Sequence, residues 1–164
     1  MKRTLQKWVI GAALRLVHAA LVELRSMDAC VAGEFERLPL GMSYTICTGH
    51  GGPTLHVEWD GATLHRRSRL DRAHCELHIK ALPIAFRIFT GQMGMAQGYA
   101  QHAFTMAGEV ADVMRLAHLV NRTEAYLFPP FITKRFLTDV PQLGLKPLQL
   151  YGRLTLGFLK GKYS

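Results

Sequence analysis

The sequence predicts an α+β two-layer domain, a five-stranded and mostly antiparallel sheet with helices on one face. Three observations predict it. The chain opens with a long stretch of helical apolar spacing, four alternating segments follow between Met42 and Lys80, and short Gly/Met-rich segments then lead to a further strand and helix. With 164 residues, 49% of them hydrophobic and 20% charged, the chain holds core enough for one domain without a disulfide or metal staple. That composition also excludes disorder for its bulk.

Leu5, Val9, Ala12, Leu16, Ala20 and Leu24 recur at spacings of three and four, with Lys7, Gly11, Arg15, His18 and Arg25 on the other side. The spacing predicts an amphipathic helix of about six turns with the first set facing the core, breaking near Gly33. Met42–Thr48 alternates with Met42, Tyr44, Ile46 and Thr48 on one face. Thr54–Trp59 sets Leu55, Val57 and Trp59 against Thr54, His56 and Glu58. Asp60-Gly61 predicts a two-residue hairpin turn with positive φ at both positions. Ala62–Arg69 returns as a third strand, and Arg66, Arg67 and Arg69 mark it as an edge.

His74–Lys80 reads as a fourth strand with Cys75, Leu77 and Ile79 on one side. Leu82-Pro83 opens a short helix ending at Gly91, Met93–Gln101 a second, and Ala103–Ala107 is a fifth strand. Gly108-Glu109 leads into a helix to about Val120, with Val110, Val113, Met114, Ala117 and Val120 inward. Pro129-Pro130 divides 1–128 from a basic, aromatic extension, 129–164. Within it, Leu148–Lys160 fits a strand or a helix equally.

Twenty basic residues against twelve acidic give a net charge of +8, which favours an anionic neighbour. Cys30, Cys47 and Cys75 are widely spaced and form no CxxC pair, which predicts reduced, mostly buried thiols in a cytoplasmic protein. No stretch approaches the roughly 20 apolar residues that span a bilayer. No G-x-S-x-G elbow or GxxxxGK[ST] loop is present, so no enzyme activity and no cofactor are expected. His56 and Glu58 share one strand face, and His74, Glu76 and His78 another. Those are metal-ligand types, but cross-strand pairing accounts for them and no metal is expected.

The order of elements, with Trp59-Asp60-Gly61 in the hairpin and HCELHIKALPIAFRIFTGQMGMAQGYAQHAFTMAGEVADVMRLAHLV after it, resembles the sterol carrier protein-2 (SCP2) lipid-binding family from about Leu21 to Tyr126. The resemblance implies a lipid ligand and no catalytic residue. Some bacterial members serve quinone biosynthesis, which implies a lipid- or quinone-biosynthesis protein as a partner.

Glycine and methionine lower packing definition and adapt to flexible ligands. Phe86, Phe89, Met93, Met95, Tyr99, Phe104 and Met106, interleaved with Gly91, Gly94 and Gly98, are therefore the expected lining of a lipid cavity between sheet and helices. Trp8 near one end, and Lys134, Arg135, Arg153, Phe158 and Lys160 near the other, are the expected contacts with an anionic membrane surface. Two alternatives stand beside this reading. One is an accessory or scaffold factor whose cavity is filled by its own tail. The other is a nucleic-acid-binding module using the basic segment His65–Arg72, although no helix-turn-helix, zinc finger or RRM signature supports it.

Overall fold

Helix α1 (Lys2–Met27) contains no proline and carries apolar residues on more than one face. The structure, a computed structural model, describes residues 2–129 and 144–163. The face of α1 that turns inward is Ile10, Leu14, Val17, Leu21 and Leu24, all buried. It lies one residue round from the expected stripe, of which Leu5 and Ala12 are exposed. The inward set holds the bulkier branched side chains and so removes more apolar area from water. His18, expected on the polar side, is buried with it, because its Nε2 reaches the carbonyl of Leu64 at 2.7 Å. Arg3–Met27 also has the length and composition of a membrane span, which corrects the reading that no stretch approaches one.

The helix breaks at Asp28, not Gly33. Asp28 caps α2 (Ala29–Glu36) by accepting from the amides of Cys30 and Val31, the ordinary role of an aspartate at this position. Its other oxygen takes Arg122 Nε at 2.7 Å and Tyr126 Oη at 2.8 Å. Burial alone would raise the Asp28 carboxyl, but these donors and the guanidinium charge hold it below its ordinary value.

Five strands follow the expected positions: β1 (Ser43–Thr48), β2 (Thr54–Trp59), β3 (Leu64–Arg67), β4 (Cys75–Ile79) and β5 (Phe104–Ala107). Their order in the sheet is β3-β2-β1-β4-β5. β1 and β4 are parallel and the other neighbours antiparallel. The register stacks Tyr44 between Val57 and Cys75, and Ile46 between Leu55 and Leu77, so one face is apolar and buried. The β2–β3 turn is not the two-residue form. Only Gly61 has positive φ, and the Asp60 carboxylate instead accepts from the amides of Ala62 and Thr63.

Between β4 and β5 lie α3 (Leu82–Phe89) and α4 (Met95–Ala100). Helix α5 (Val110–Leu127) runs past the expected end at Val120. Its inward residues are Leu116, Leu119, Val120 and Thr123, whereas Val110 and Met114, expected inward, are exposed. The ambiguous segment is a helix, α6 (Lys146–Leu159), and it packs on α1 and α5. The extension thus contributes an element to the helix layer. Leu150, Leu154 and Tyr163 are buried there. Beneath them the buried Glu23 of α1 accepts from Lys162 Nζ at 2.5 Å and Tyr163 Oη at 2.7 Å, with Arg153 3.6 Å away.

Candidate functional site

The helix layer and the sheet meet along an apolar seam. Val17 and Leu21 of α1, Phe35 of α2, Tyr44 and Ile46 of β1, Leu55 and Val57 of β2, Leu64 of β3, and Leu116, Leu119 and Val120 of α5 surround a cavity of about 20 Å³. That is room for roughly one water molecule. The sequence-predicted lining does not form this wall. Met93, Met95 and Phe104 are buried, Phe86, Phe89 and Met106 are partly buried, and Tyr99 is 70% exposed. Phe104 packs on Tyr99 with ring centroids 6.2 Å apart. A Cβ on Gly98 would stand 2.9 Å from the Phe104 ring. Here glycine permits the close packing of the Phe104 ring. The seam residues were hidden from sequence reasoning because they come from six elements and read individually as ordinary core.

The seam's lining is wholly apolar: Tyr44 contributes its ring, and its buried hydroxyl lies beside Arg115. Burial, then the charge of Asp112, raise the Tyr44 phenol well above its ordinary value, against the opposing charge of Arg115. Arg115 Nη1 donates to Asp112 at 2.7 Å. Its Nε is 3.4 Å from Glu34 and closes no hydrogen bond. Cys75 lies nearby on β4, and its thiol is pushed up to about 11 by burial and then by the charges of Asp112 and Glu76. A thiol held protonated is a poor nucleophile.

The other sheet face is polar, and on its central strand Ser43 and Thr45 are buried. His56 Nδ1 is 2.9 Å from Thr45 Oγ1, His74 Nδ1 is 2.8 Å from Ser43 Oγ, and His78 Nε2 is 2.8 Å from Glu76. Glu58 pairs with Arg67 at 2.7 Å. The candidate ligands are thus engaged pairwise. Among the described residues no group of three or more His, Cys, Asp or Glu could hold a metal ion. Ser43 is buried, so its contact with His74 offers no nucleophile to a substrate. At this end of the sheet an open cleft of about 560 Å³ runs between Arg72–Glu76 and the β5–α5 turn at Ala107–Glu109. Its ionisable walls mix both signs.

Of the expected membrane contacts, Trp8 is 73% exposed, and Phe158 and Lys160 are also exposed. Arg153 is held by Ser26 and Glu23. Lys134 and Arg135 lie outside the described residues. Sequence reasoning missed the outward stripe of α6. Leu145, Leu148, Leu156 and Leu159 recur on one helical face and are all exposed, opposite the buried Leu150, Leu154 and Gly157. Cys30, expected buried, is exposed, and all three cysteines are free.

No family model matches the chain, and no curated protein matches it. Among solved structures it is similar to one titled "UbiJ-SCP2 Ubiquinone synthesis protein", with 15% identity and a TM-score of 0.45, over 66% of this chain and 96% of that one.

Proposed function

We propose that the chain is a non-enzymatic lipid-binding module that admits an apolar tail to the seam between sheet and helix layer while resting on an anionic membrane surface. The observation that carries the reading is the seam itself, an apolar junction of α1, α2, α5 and three strands. Apolar pockets suit a flexible apolar ligand. At about 20 Å³ the seam must widen to admit a tail. About twelve buried CH₂ groups contribute roughly 9 kcal/mol toward parting the helices from the sheet.

The membrane component is supported by the net charge of +8 and by two exposed apolar surfaces, Leu5 and Trp8 of α1 and the leucine stripe of α6. Free cysteines support a reducing, cytoplasmic setting. The second reading, a scaffold or accessory factor filled by its own side chains, is favoured by the small cavity volume. Native mass spectrometry of protein purified without detergent separates the two. The lipid-binding reading predicts a stoichiometric adduct identified as a lipid in the organic extract. Bare protein that also takes up no added lipid contradicts it.

A further inference from the structure

We infer that His18 is a pH-sensitive latch on the seam: its neutral ring ties α1 to β3 and keeps the seam closed, and its protonation frees α1 so that an apolar tail can enter. The inference rests on the lipid-binding reading and adds the regulation of that site. His18 is buried on α1, flanked along the helix by Val17 and Leu21, which line the seam. Its Nε2 lies 2.7 Å from the carbonyl of Leu64, another lining residue, on β3. The hydrogen bond therefore joins two walls of the seam. A carbonyl only accepts, so the neutral ring carries its proton on Nε2 and leaves Nδ1 bare. Nδ1 is buried and has no hydrogen-bond partner.

Protonation adds a donor at Nδ1 with no acceptor beside it, and a charge in an apolar setting. From β3, Arg66 and His65 face the ring, and both oppose the added charge. His65 is itself held by Asp60 at 2.7 Å. On β2, His56 and Glu58 are engaged by Thr45 and Arg67. Along α1, Arg15 is exposed and Glu23 is taken by Lys162 and Tyr163. Burial holds the His18 imidazole below its ordinary value of 6.5; the Leu64 carbonyl works against this, and Arg66 and then His65 reinforce it. Helix α1 makes a second tie to the same hairpin. Arg25 Nη1 donates to the carbonyl of Ala62, and its guanidinium lies 5.0 Å from the centre of the Trp59 ring. Arginine stays charged throughout, so of the two ties only His18 responds to protons. In the open state the ring is hydrated and regains its ordinary value. The closed state is therefore favoured in full above 6.5, and the balance shifts toward opening by up to about tenfold for each pH unit below it. A seam of about 20 Å³ opens before a tail enters, so apparent affinity follows the open fraction. An anionic membrane surface gathers protons, which opens the seam where lipid is at hand.

The seam has a built-in reporter. Phe35 of the lining packs on Trp59 with ring centroids 4.9 Å apart. The chain has two tryptophans, so Trp8→Phe leaves Trp59 alone to report. In that background, binding of dodecan-2-one is followed by Trp59 fluorescence and by equilibrium dialysis from pH 7 to pH 5.5. The ketone carries no charge across that range, so any pH dependence belongs to the protein. Affinity is expected to rise about fivefold as the pH falls over it. His18→Gln keeps a side-chain donor for the Leu64 carbonyl and removes the titration, and its affinity is expected to stay level. His65→Gln is expected to keep the parent's dependence. A parent whose affinity does not change with pH, a His18→Gln variant that keeps the full dependence, or a His65→Gln variant that loses it overturns this inference while the seam reading stands. If dodecan-2-one leaves Trp59 unaffected at every pH and stays unbound in dialysis, the seam reading itself fails and this inference with it.

Discussion

Glu124 sits on α5, buried, with Oε2 lacking any hydrogen-bond partner. Burial pushes its carboxyl up to about 8 from an ordinary value of 4.5. The folded state therefore keeps a proton that the unfolded chain releases, and stability falls as pH rises between those two values. Glu124→Gln removes the titration. The variant is expected to melt higher than the parent at pH 8, by an amount that shrinks toward pH 4. Melting curves across that range check it, and a pH-independent difference would contradict it. Glu23 and Asp28 work in the opposite sense. Burial raises both, but Lys162 and Tyr163 at Glu23, and Arg122 and Tyr126 at Asp28, outweigh it and hold both carboxyls low. Their contribution is present above the ordinary carboxylate range and is lost as pH falls through the folded values. None of these three roles was legible in the sequence, since each depends on whether a partner arrives from a distant segment.

At the scale of elements, α6 shows how a local contact holds a helix in place. Gly157 lies beneath the Tyr163 ring, and a Cβ there would overlap the phenol oxygen and ring carbons. Gly157→Ala should lift Tyr163 from Glu23, cost about 1–3 kcal/mol and make the C-terminal segment more susceptible to limited proteolysis. Unchanged cleavage and melting would show that Tyr163 does not hold the helix. The elements themselves were largely readable. β2 and β4 alternate because one face is buried and the other more open, whereas the central β1 is buried along almost its whole length. The inward face of α1 was misplaced because two apolar stripes share that helix, and periodicity cannot say which meets the sheet. The end of α2 and the helical state of α6 were equally matters of tertiary packing. For α6, spacing fitted two periods, and docking on α1 and α5 selected one.

For the whole molecule, charge and exposed apolar surface make a joint prediction. Cations near an anionic bilayer contribute about 1 kcal/mol each, screened by salt. Leu148→Ser together with Leu156→Ser is expected to reduce co-sedimentation with phosphatidylcholine/phosphatidylglycerol vesicles several-fold. Added salt should weaken binding of the parent, and vesicles of phosphatidylcholine alone should bind little. Binding unaffected by the serines would remove α6 from the membrane contact. The candidate site was the least legible feature. The glycines and methionines of 91–106 suggested a hollow; there Phe104 packs directly on Gly98, and the seam lies between residues far apart in the chain. The measurement that reaches the central claim most directly is methyl NMR of the full chain with dodecan-2-one. The account predicts intermolecular contacts from chain methylenes to the methyls of Leu21, Leu119 and Val120. Contacts confined to Met93 and Met95, or to the outward leucines of α6, would contradict it.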